Sequence, residues 1–386
     1  MKRKILFITG SRAEYGLLRK LILASAVDND IEMRLIVTGS HLSSKHGSTY
    51  KDIEKDKIEL TQKINIKLKN DSPMDVINSM SIAMRKFSNS FIKLQPDLIV
   101  ILGDRYEIFS AASAAMILNI PIAHIHGGEV TEGAYDEAIR HSITKISHLH
   151  FVATNDFRKR VIQLGENPKT VFSVGGLGID AIADLKLLSR PDLEKNMNFK
   201  FGTKNLLITL HPETRVDKTK QYKNLKTLLA ALKKHKDIKF IFTMPNADQH
   251  NEQIANLIKA FCFSNPANAS FYSSLGQLTY LSCLKYIDGV LGNSSSGLLE
   301  VPSFKKGTVN IGNRQSGRPK ASSIIDCEFN KNEIFYAINK LYSPSFQKKL
   351  SSTKNPYGKP GASKKILQKI KTFPLNNLLN KKFYDL

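Results

Sequence analysis

The sequence of 386 residues contains no tryptophan and only three cysteines, Cys262, Cys283 and Cys327. The missing tryptophan decides nothing. The cysteines are odd in number and form no C-x-x-C pair, which speaks against a disulfide framework and fits a reducing, cytoplasmic setting. No apolar run approaches the roughly 18 residues of a membrane span. The opening MKRKILFITG starts like a signal peptide, but Ile5 to Ile8 is too short an apolar core and no small-residue cleavage site follows, so it reads as a first strand. There is no internal repeat. A G-x-S-x-G elbow is absent, so Ser294 to Ser296 with His211 and Asp248 do not make a hydrolase triad. Gly175-Gly176-Leu177-Gly178 lacks the dinucleotide-fingerprint spacing, which argues against a nicotinamide cofactor.

Basic charge is present in excess: 57 Lys and Arg against 34 Asp and Glu, a net +23. Such a balance suits nucleic acid, an anionic surface or an anionic substrate. The lysines are spread along the chain, with loose clusters at 218–239 and 364–382. No Arg-rich arm, zinc-ligand spacing or RNA-binding aromatic motif accompanies them. A Lys-, Asn- and Ile-rich composition explains the charge better than nucleic-acid binding does. With 41% hydrophobic and 24% charged residues, the chain is an ordinary globular sequence long enough for two domains.

Apolar strands alternate with helical segments. In the first half, strands are expected at 4–9, 32–37, 98–102, 120–125 and 149–153, and helices at 13–25, 106–118 and 138–145. Ser72-Pro73 opens a further helix, with Ile77, Met80, Met84, Phe87, Phe91 and Leu94 at helical spacing as its buried face. The pattern pauses around 173–178 and resumes after 202. Strands follow at 205–210, 238–244, 270–272, 289–291 and 308–311, with helices at 222–235, 251–261, 277–286, 297–302, 331–341 and 362–371. The fold class is α/β: two Rossmann-like doubly wound domains, with a nucleotide in the cleft between them.

Chemistry gathers at the strand ends, where open α/β sheets bind ligands. Asp104 and Arg105 follow the run Leu98 to Leu102, and Ile120 to Ile125 leads into His126, Gly127, Gly128 and Glu129. These acids, bases and cations suggest an enzyme acting on a phosphorylated or nucleotide-linked substrate. In the second half, His211-Pro212-Glu213-Thr214, Pro245-Asn246-Ala247-Asp248, Gly292 to Gly297 and Gly312-Asn313-Arg314-Gln315 stand at strand tips. A run of three serines between glycines offers N–H groups and hydroxyls to a phosphate, where one Ser would suffice as a helix cap. Glu300 would accept ribose hydroxyls or simply compensate a helix dipole. Arg314 and Arg318 are phosphate candidates or plain surface charge. His124, His126, His148 and His150 form two H-x-H pairs; on strands each would point to one face, but acid–base or hydrogen-bonding roles suit them better than a metal. Asp136-Glu137 before Arg140-His141 reads as a helix start or as catalytic.

The segments GSRAEYG, LGDRYE, HIHGGEVTEGAYDEAIRHSITK, LHP, GNSSSGLLEVP, NIGNRQSGR and NPYGKPGASKKIL occur in this order across nearly the whole chain. Together they resemble the hydrolysing UDP-N-acetylglucosamine 2-epimerases of bacterial sialic acid synthesis. The resemblance implies a GT-B-type pair of domains at 1–174 and 175–361, with a C-terminal helix in 362–386 crossing back to the first. It implies conversion of UDP-GlcNAc and water to ManNAc and UDP through 2-acetamidoglucal, without cofactor or metal, in a cytoplasmic homo-oligomer (dimer or tetramer) serving capsule or lipopolysaccharide synthesis. Carried over by position, Arg12, Arg105, His211, Asn246, Asp248, Ser294, Ser295, Glu300 and Arg314 would hold the UDP-sugar. Asp104, His126, Glu129, Asp136 and His211 would form the catalytic set, with Asp136 and His126 transferring protons and Asp104 orienting. Some relatives carry Glu at the position of His126, and some carry Ser at the position of Gly16. Two neighbouring activities fit the same motifs: a hydrolysing 2-epimerase of a UDP-2,4-diacetamido-trideoxyhexose for legionaminic-type acids, and a GT-B glycosyltransferase.

Overall fold

The computed structural model describes residues 2–44, 47–68, 72–130, 135–211, 217–244 and 252–386. Packing divides the chain into two compact units. The first comprises Met1–Glu129, Tyr135–Ala183 and Tyr357–Leu386, and the second is built mainly from Asp184–Pro356.

The first unit holds strands β1 (Arg3–Thr9), β2 (Ile31–Thr38), β3 (Gln62–Ile64), β4 (Leu98–Leu102), β5 (Ile122–Ile125), β6 (Leu149–Val152) and β7 (Val171–Ser173). They form one parallel sheet in the order β3-β2-β1-β4-β5-β6-β7. Its helices are α1 (Arg12–Ala26), α2 (Tyr50–Lys55), α3 (Pro73–Leu94), α4 (Tyr106–Ile117), α5 (Asp136–Ile146), α6 (Asn155–Gln163) and α7 (Leu177–Asp184). A strand covered on both faces must be apolar throughout, and β4, LIVIL, is buried at every position. Strand β1 shows the consequence of double winding: Ile5 and Phe7 join one core with Leu18 and Leu21, whereas Leu6 and Ile8 join another with Phe87 and Ile108.

In the second unit α8 (Arg190–Met197) leads into β8 (Lys204–Thr209), α9 (Lys218–Leu232), β9 (Ile238–Thr243), α10 (Glu252–Ser264), β10 (Ala269–Tyr272), α11 (Gly276–Tyr286) and β11 (Gly289–Gly292). Then come α12 (Ser296–Leu299), β12 (Gly307–Ile311), β13 (Ile324–Cys327), α13 (Lys331–Leu341) and α14 (Pro344–Leu350). The sheet is parallel, in the order β10-β9-β8-β11-β12-β13, and its core includes Leu206, Ile208, Leu228, Phe242 and Ile338. The last helix, α15 (Ala362–Thr372), belongs to the first unit, where Ile366 and Ile370 pack in the core with Leu18 and Leu21. Buried Asp180 accepts the Ser363 N–H at 2.6 Å and so caps that helix.

The alternation expected from the sequence is present; strands β3, β7 and β13 and helices α2, α6, α7, α8 and α14 were not among the expected elements, and two of the expected helices differ in detail. Helix α3 starts at Pro73 with Ser72 as its cap, but Ile77 and Met84 are 57% and 40% exposed. Its buried line is Ser79, Ala83, Phe87, Ser90 and Phe91, so small residues let it lie close to α4 while part of the apolar stripe faces outward. The helix expected at 297–302 is a single α turn, α12, followed by a 3-10 turn at Val301–Phe304. Pro302 has no N–H for an α ladder. No helix among the described residues is long and apolar enough to cross a membrane.

The tail after α15 is fixed by charge. Glu166, 1% exposed, pairs with Lys381 at 2.6 Å, His150 at 2.9 Å and Lys145 at 3.0 Å. Burial alone would raise its pKa, but the bond to His150 and the Lys381 charge hold it below the usual carboxylate value. Replacing Glu166 by Ala strands these donors and should cost about 3–5 kcal/mol in urea unfolding; an unchanged midpoint would refute the pairing.

Candidate active site

Each sheet reverses its winding direction once, and ligands bind beyond the strand ends at such a point. In the first sheet it falls between β1 and β4, whose tips are Gly10-Ser11-Arg12 and Gly103-Asp104-Arg105. In the second it falls between β8 and β11, whose tips carry His211 and Asn293-Ser294-Ser295.

On the first unit, buried Arg140 from α5 organises the tips. Its guanidinium pairs with Asp104, reaches Glu137 Oε2 at 3.0 Å, and donates to the Glu129 carbonyl at 2.9 Å. Asp104 is thereby committed to a cation, which suits an orienting role. His126 lies one residue past β5 with φ +66°, a left-handed backbone uncommon for histidine. His126 therefore stands in the turn beyond the strand, so the two histidines are not an H-x-H pair within one strand. His126 Nδ1 meets Glu129 Oε1 at 3.1 Å, and its buried Nε2 has no hydrogen-bond partner among the described residues. His124 instead bonds the Gly103 carbonyl at 2.8 Å and Thr144 Oγ1 at 3.2 Å, and burial pulls its pKa down to about 3. His148, down to about 4 by burial, faces the Ile122 N–H, and His150 is taken by Glu166. Among the described residues no cluster of three or more His, Cys, Asp or Glu could hold a metal ion.

Asp136 begins α5 and is half-buried. Burial raises its carboxyl pKa; the Arg105 charge opposes this and Glu107 adds to it. A carboxyl raised in this way exchanges protons nearer neutral pH than a free aspartate. Arg105 lies at 2.6 Å from buried Glu107, and Glu14, also buried, stands at 3.7 Å. Arg12 is exposed as the first residue of α1.

On the second unit the hub is Asn293, 1% exposed. It accepts the His211 N–H at 2.7 Å and returns a bond to the His211 carbonyl at 2.8 Å, locking the β8 and β11 tips together. Its own carbonyl accepts from Arg314 at 3.0 Å and Gln315 at 2.8 Å. Gly292 makes this possible: its φ is +141°, and a Cβ there would sit 1.9 Å from the Thr209 carbonyl oxygen. Burial, with Arg314 nearby, lowers the His211 pKa to about 4, so its ring is neutral at pH 7 and offers a hydrogen bond rather than a charge. Ser295 heads α12 without a side-chain capping bond. Its hydroxyl is not used up as a cap. The short length of α12 leaves little dipole, so anion binding here depends on N–H groups and hydroxyls. Glu300 is bonded by Ser296, which also receives the Tyr280 hydroxyl at 2.6 Å, and burial raises the Glu300 pKa. Arg318 donates to the Val130 carbonyl at 3.0 Å. Asn246 and Asp248, like Pro212, Glu213 and Thr214, lie outside the described residues.

Sequence reading thus reached most of the tips and missed what positions them. Glu14, Glu107 and Tyr280 were not singled out, and Arg140, Asn293 and Ser296 were named within their segments without the positioning roles found here. Five stand inside or beside quoted motifs, and Arg140, four residues after Asp136, was readable as sharing its helix face.

Two doubly wound parallel sheets, each with polar and charged tips at its switch point, define an α/β enzyme of the nucleotide-sugar-handling, GT-B-like kind. The family described as UDP-N-acetylglucosamine 2-epimerase matches residues 24–371, and the chain belongs to it. It is a hydrolysing 2-epimerase. It is 43% identical over 386 residues to the GDP/UDP-N,N'-diacetylbacillosamine 2-epimerase (hydrolyzing) of Campylobacter jejuni, with 100% of each chain covered. It is 40% identical over 390 residues to polysialic acid biosynthesis protein P7 of Escherichia coli, covering 100% of this chain and 98% of the relative. A solved UDP-GlcNAc 2-epimerase from Neisseria meningitidis bound to UDP-GlcNAc shares the fold, with TM-score 0.82, 20% identity, and 95% and 99% coverage.

Proposed function

We propose that this enzyme releases UDP from a UDP-linked 2-acetamido sugar and inverts C2, and that the sugar is N,N'-diacetylbacillosamine. The observation that carries the choice is the end-to-end 43% identity to the Campylobacter relative of that name. A second reading, UDP-GlcNAc to ManNAc for sialic acid, is favoured by the 40% identity to the polysialic acid protein.

The chemistry follows from the acidity of C2–H. No carbonyl adjoins C2, so its proton leaves only as positive charge grows at C1 on breaking the C1–O bond. The departing UDP needs donors already in place. Ser294, Ser295 and Arg314 supply them, with neutral His211 as a further N–H donor; Asn246, Asp248, Glu300, Arg12 and Arg105 are the remaining UDP-sugar contacts of this reading. Loss of the C2 proton gives the 2-acetamidoglucal. Water then adds at C1 while a proton is delivered to C2 from the opposite face. Two proton-transfer groups are needed, and Asp136 and His126 fill these roles, with Glu129 holding the imidazole and Asp104 orienting. The reading requires no cofactor, metal, nucleic acid or membrane partner, and the setting is cytoplasmic. Self-association as a dimer or tetramer is part of it, supported by the outward apolar stripe of α3.

Incubation with UDP-N,N'-diacetylbacillosamine and with UDP-GlcNAc in deuterated water, followed by NMR, tests the whole. Free UDP and a C2-inverted sugar carrying one solvent deuterium at C2 are expected, with the diacetamido substrate turned over faster. Preference for UDP-GlcNAc would establish the second reading; an unlabelled C2 would remove the glycal route.

A further inference from the structure

The first unit buries two carboxylates that the reaction above does not use. Glu14 is 6% exposed and Glu107 is fully buried. Glu107 Oε1 takes the Arg105 Nε–H at 2.6 Å, and Glu14 Oε1 stands 3.7 Å from the same nitrogen. Among the described residues neither carboxylate pairs with a second cation. Glu14 Oε2 accepts the Gly10 N–H at 2.6 Å, whereas Glu107 Oε2 has no hydrogen-bond partner among the described residues. The surroundings are closed. A Cβ at Gly10 would lie 2.6 Å from Glu107 Oε1, and one at Gly39 would lie 2.7 Å from it. The tips of β1, β2 and β4 therefore converge on this pair.

Two carboxylates this close to one cation, with little water to screen them, do not both ionise readily. We propose that Glu14 and Glu107 act together as positioning residues: the pair holds one proton, so that with Arg105 the cluster is neutral, and in that state it fixes the strand tips and sets the field at Asp136. This rests on the reading of Asp136 as a proton-transfer group. Burial and the neighbouring Glu107 charge push the Glu14 carboxyl up, to about 8, against the pull of Arg105 and the Gly10 N–H. The same Arg105 and Glu107 charges act on Asp136, in opposite directions. Arg105 acts on both members of the pair and Asp136, from α5, feels Glu107, while Tyr106 at the start of α4 and His41 from the 3-10 turn after β2 interact with Arg105. His41 is kept neutral by burial, which lowers it to about 4, so Arg105 is the cation that balances the pair.

The sign of the pH effect follows. A folded-state carboxyl raised above its unfolded value stabilises fully below the ordinary carboxylate range. That contribution disappears as pH rises from the range near 4.5 through about 8. Loss of the proton also leaves an uncompensated negative charge behind Asp136.

The test uses the full-length enzyme without substrate and then with it. Infrared spectra of the unmodified protein should show a neutral carboxylic acid at pH 6 that is lost toward alkaline pH, and Glu14→Gln should remove it. Glu14→Gln should also flatten the fall in unfolding free energy over that pH window. In turnover, Glu14→Gln removes the alkaline step of the kcat profile. Glu14→Gln with Glu107→Gln leaves Arg105 unbalanced and lowers kcat by a further factor of about ten through the altered field at Asp136, with KM little moved. A neutral-acid band that is absent at pH 6, or untouched by Glu14→Gln, overturns the proposal, and so does a double variant no worse than the single one. Should Asp136 prove idle in turnover, the infrared and stability results still decide whether the pair holds its proton.

Discussion

Asp136→Asn is expected to lower turnover by about 10²–10⁴ while UDP binds as before. The size follows from what the substitution removes. Asn keeps the shape of the first residue of α5, and Asp136 is not one of the Arg140 partners, so the helix and the Arg140 network should persist. It cannot exchange a proton. The wild-type carboxyl is raised by burial, with Arg105 opposing and Glu107 adding, which is the setting of a group that must both take and give a proton. Asp136 is not among the UDP contacts proposed above, so calorimetry with UDP should show an affinity close to wild type. Supplying 2-acetamidoglucal, or its 4-acetamido counterpart, separates the half-reactions: a variant that hydrates the glycal but does not form it places Asp136 in the elimination step. Undiminished turnover of the UDP-sugar would take Asp136 out of the chemistry.

The sheets and most strand tips were legible from the chain because parallel strands buried on both faces read as unbroken apolar runs. Leu98 to Leu102 is the clearest case, matched residue for residue by β4. Short edge elements were not legible. Strand β3, Gln62–Ile64, exposes two of its three residues, and β13 at Ile324–Cys327 has a mixed pattern, so neither carries a burial signal. Helix α3 misled for a different reason. Its apolar residues cover more than one face, and periodicity alone does not say that Ser79, Ala83 and Ser90 are the ones turned inward. At the candidate site, motifs pointed to Asp104, Asp136, His126, Ser294 and Arg314. They did not deliver pairing. The meeting of His126 with Glu129, three residues on, is set by the turn after β5. That Asp104 belongs to Arg140 and that Asn293 ties His211 to the turn carrying the serines are facts of three-dimensional proximity between segments far apart in the chain. Pairings of this kind leave no local pattern, and only the fold supplies them.

Arg140→Ala should be the most disruptive single change on the first unit. It is expected to cost about 3–5 kcal/mol in urea unfolding, because it removes the cation from a buried ion-pair network. Arg140 is 4% exposed and joins three partners from different segments: Asp104 beyond β4, the Glu129 carbonyl beyond β5, and Glu137 on its own helix. Without it, Asp104 loses its counter-charge and the segment carrying His126 and Glu129 loses its anchor. Turnover should therefore fall together with stability. Arg140→Lys separates the two effects. It retains the charge, but a single ammonium cannot reproduce the planar fork that reaches Asp104 and the Glu129 carbonyl at once. The lysine variant should recover much of the stability and little of the activity. A cycle with Asp104→Asn isolates the pair: if Asp104 is the partner that makes the loss large, Arg140→Ala should cost much less in the Asp104→Asn background than in the wild type. Equal costs in both backgrounds would show that Arg140 acts through the Glu129 carbonyl instead, and that Asp104 is free to take a proton itself.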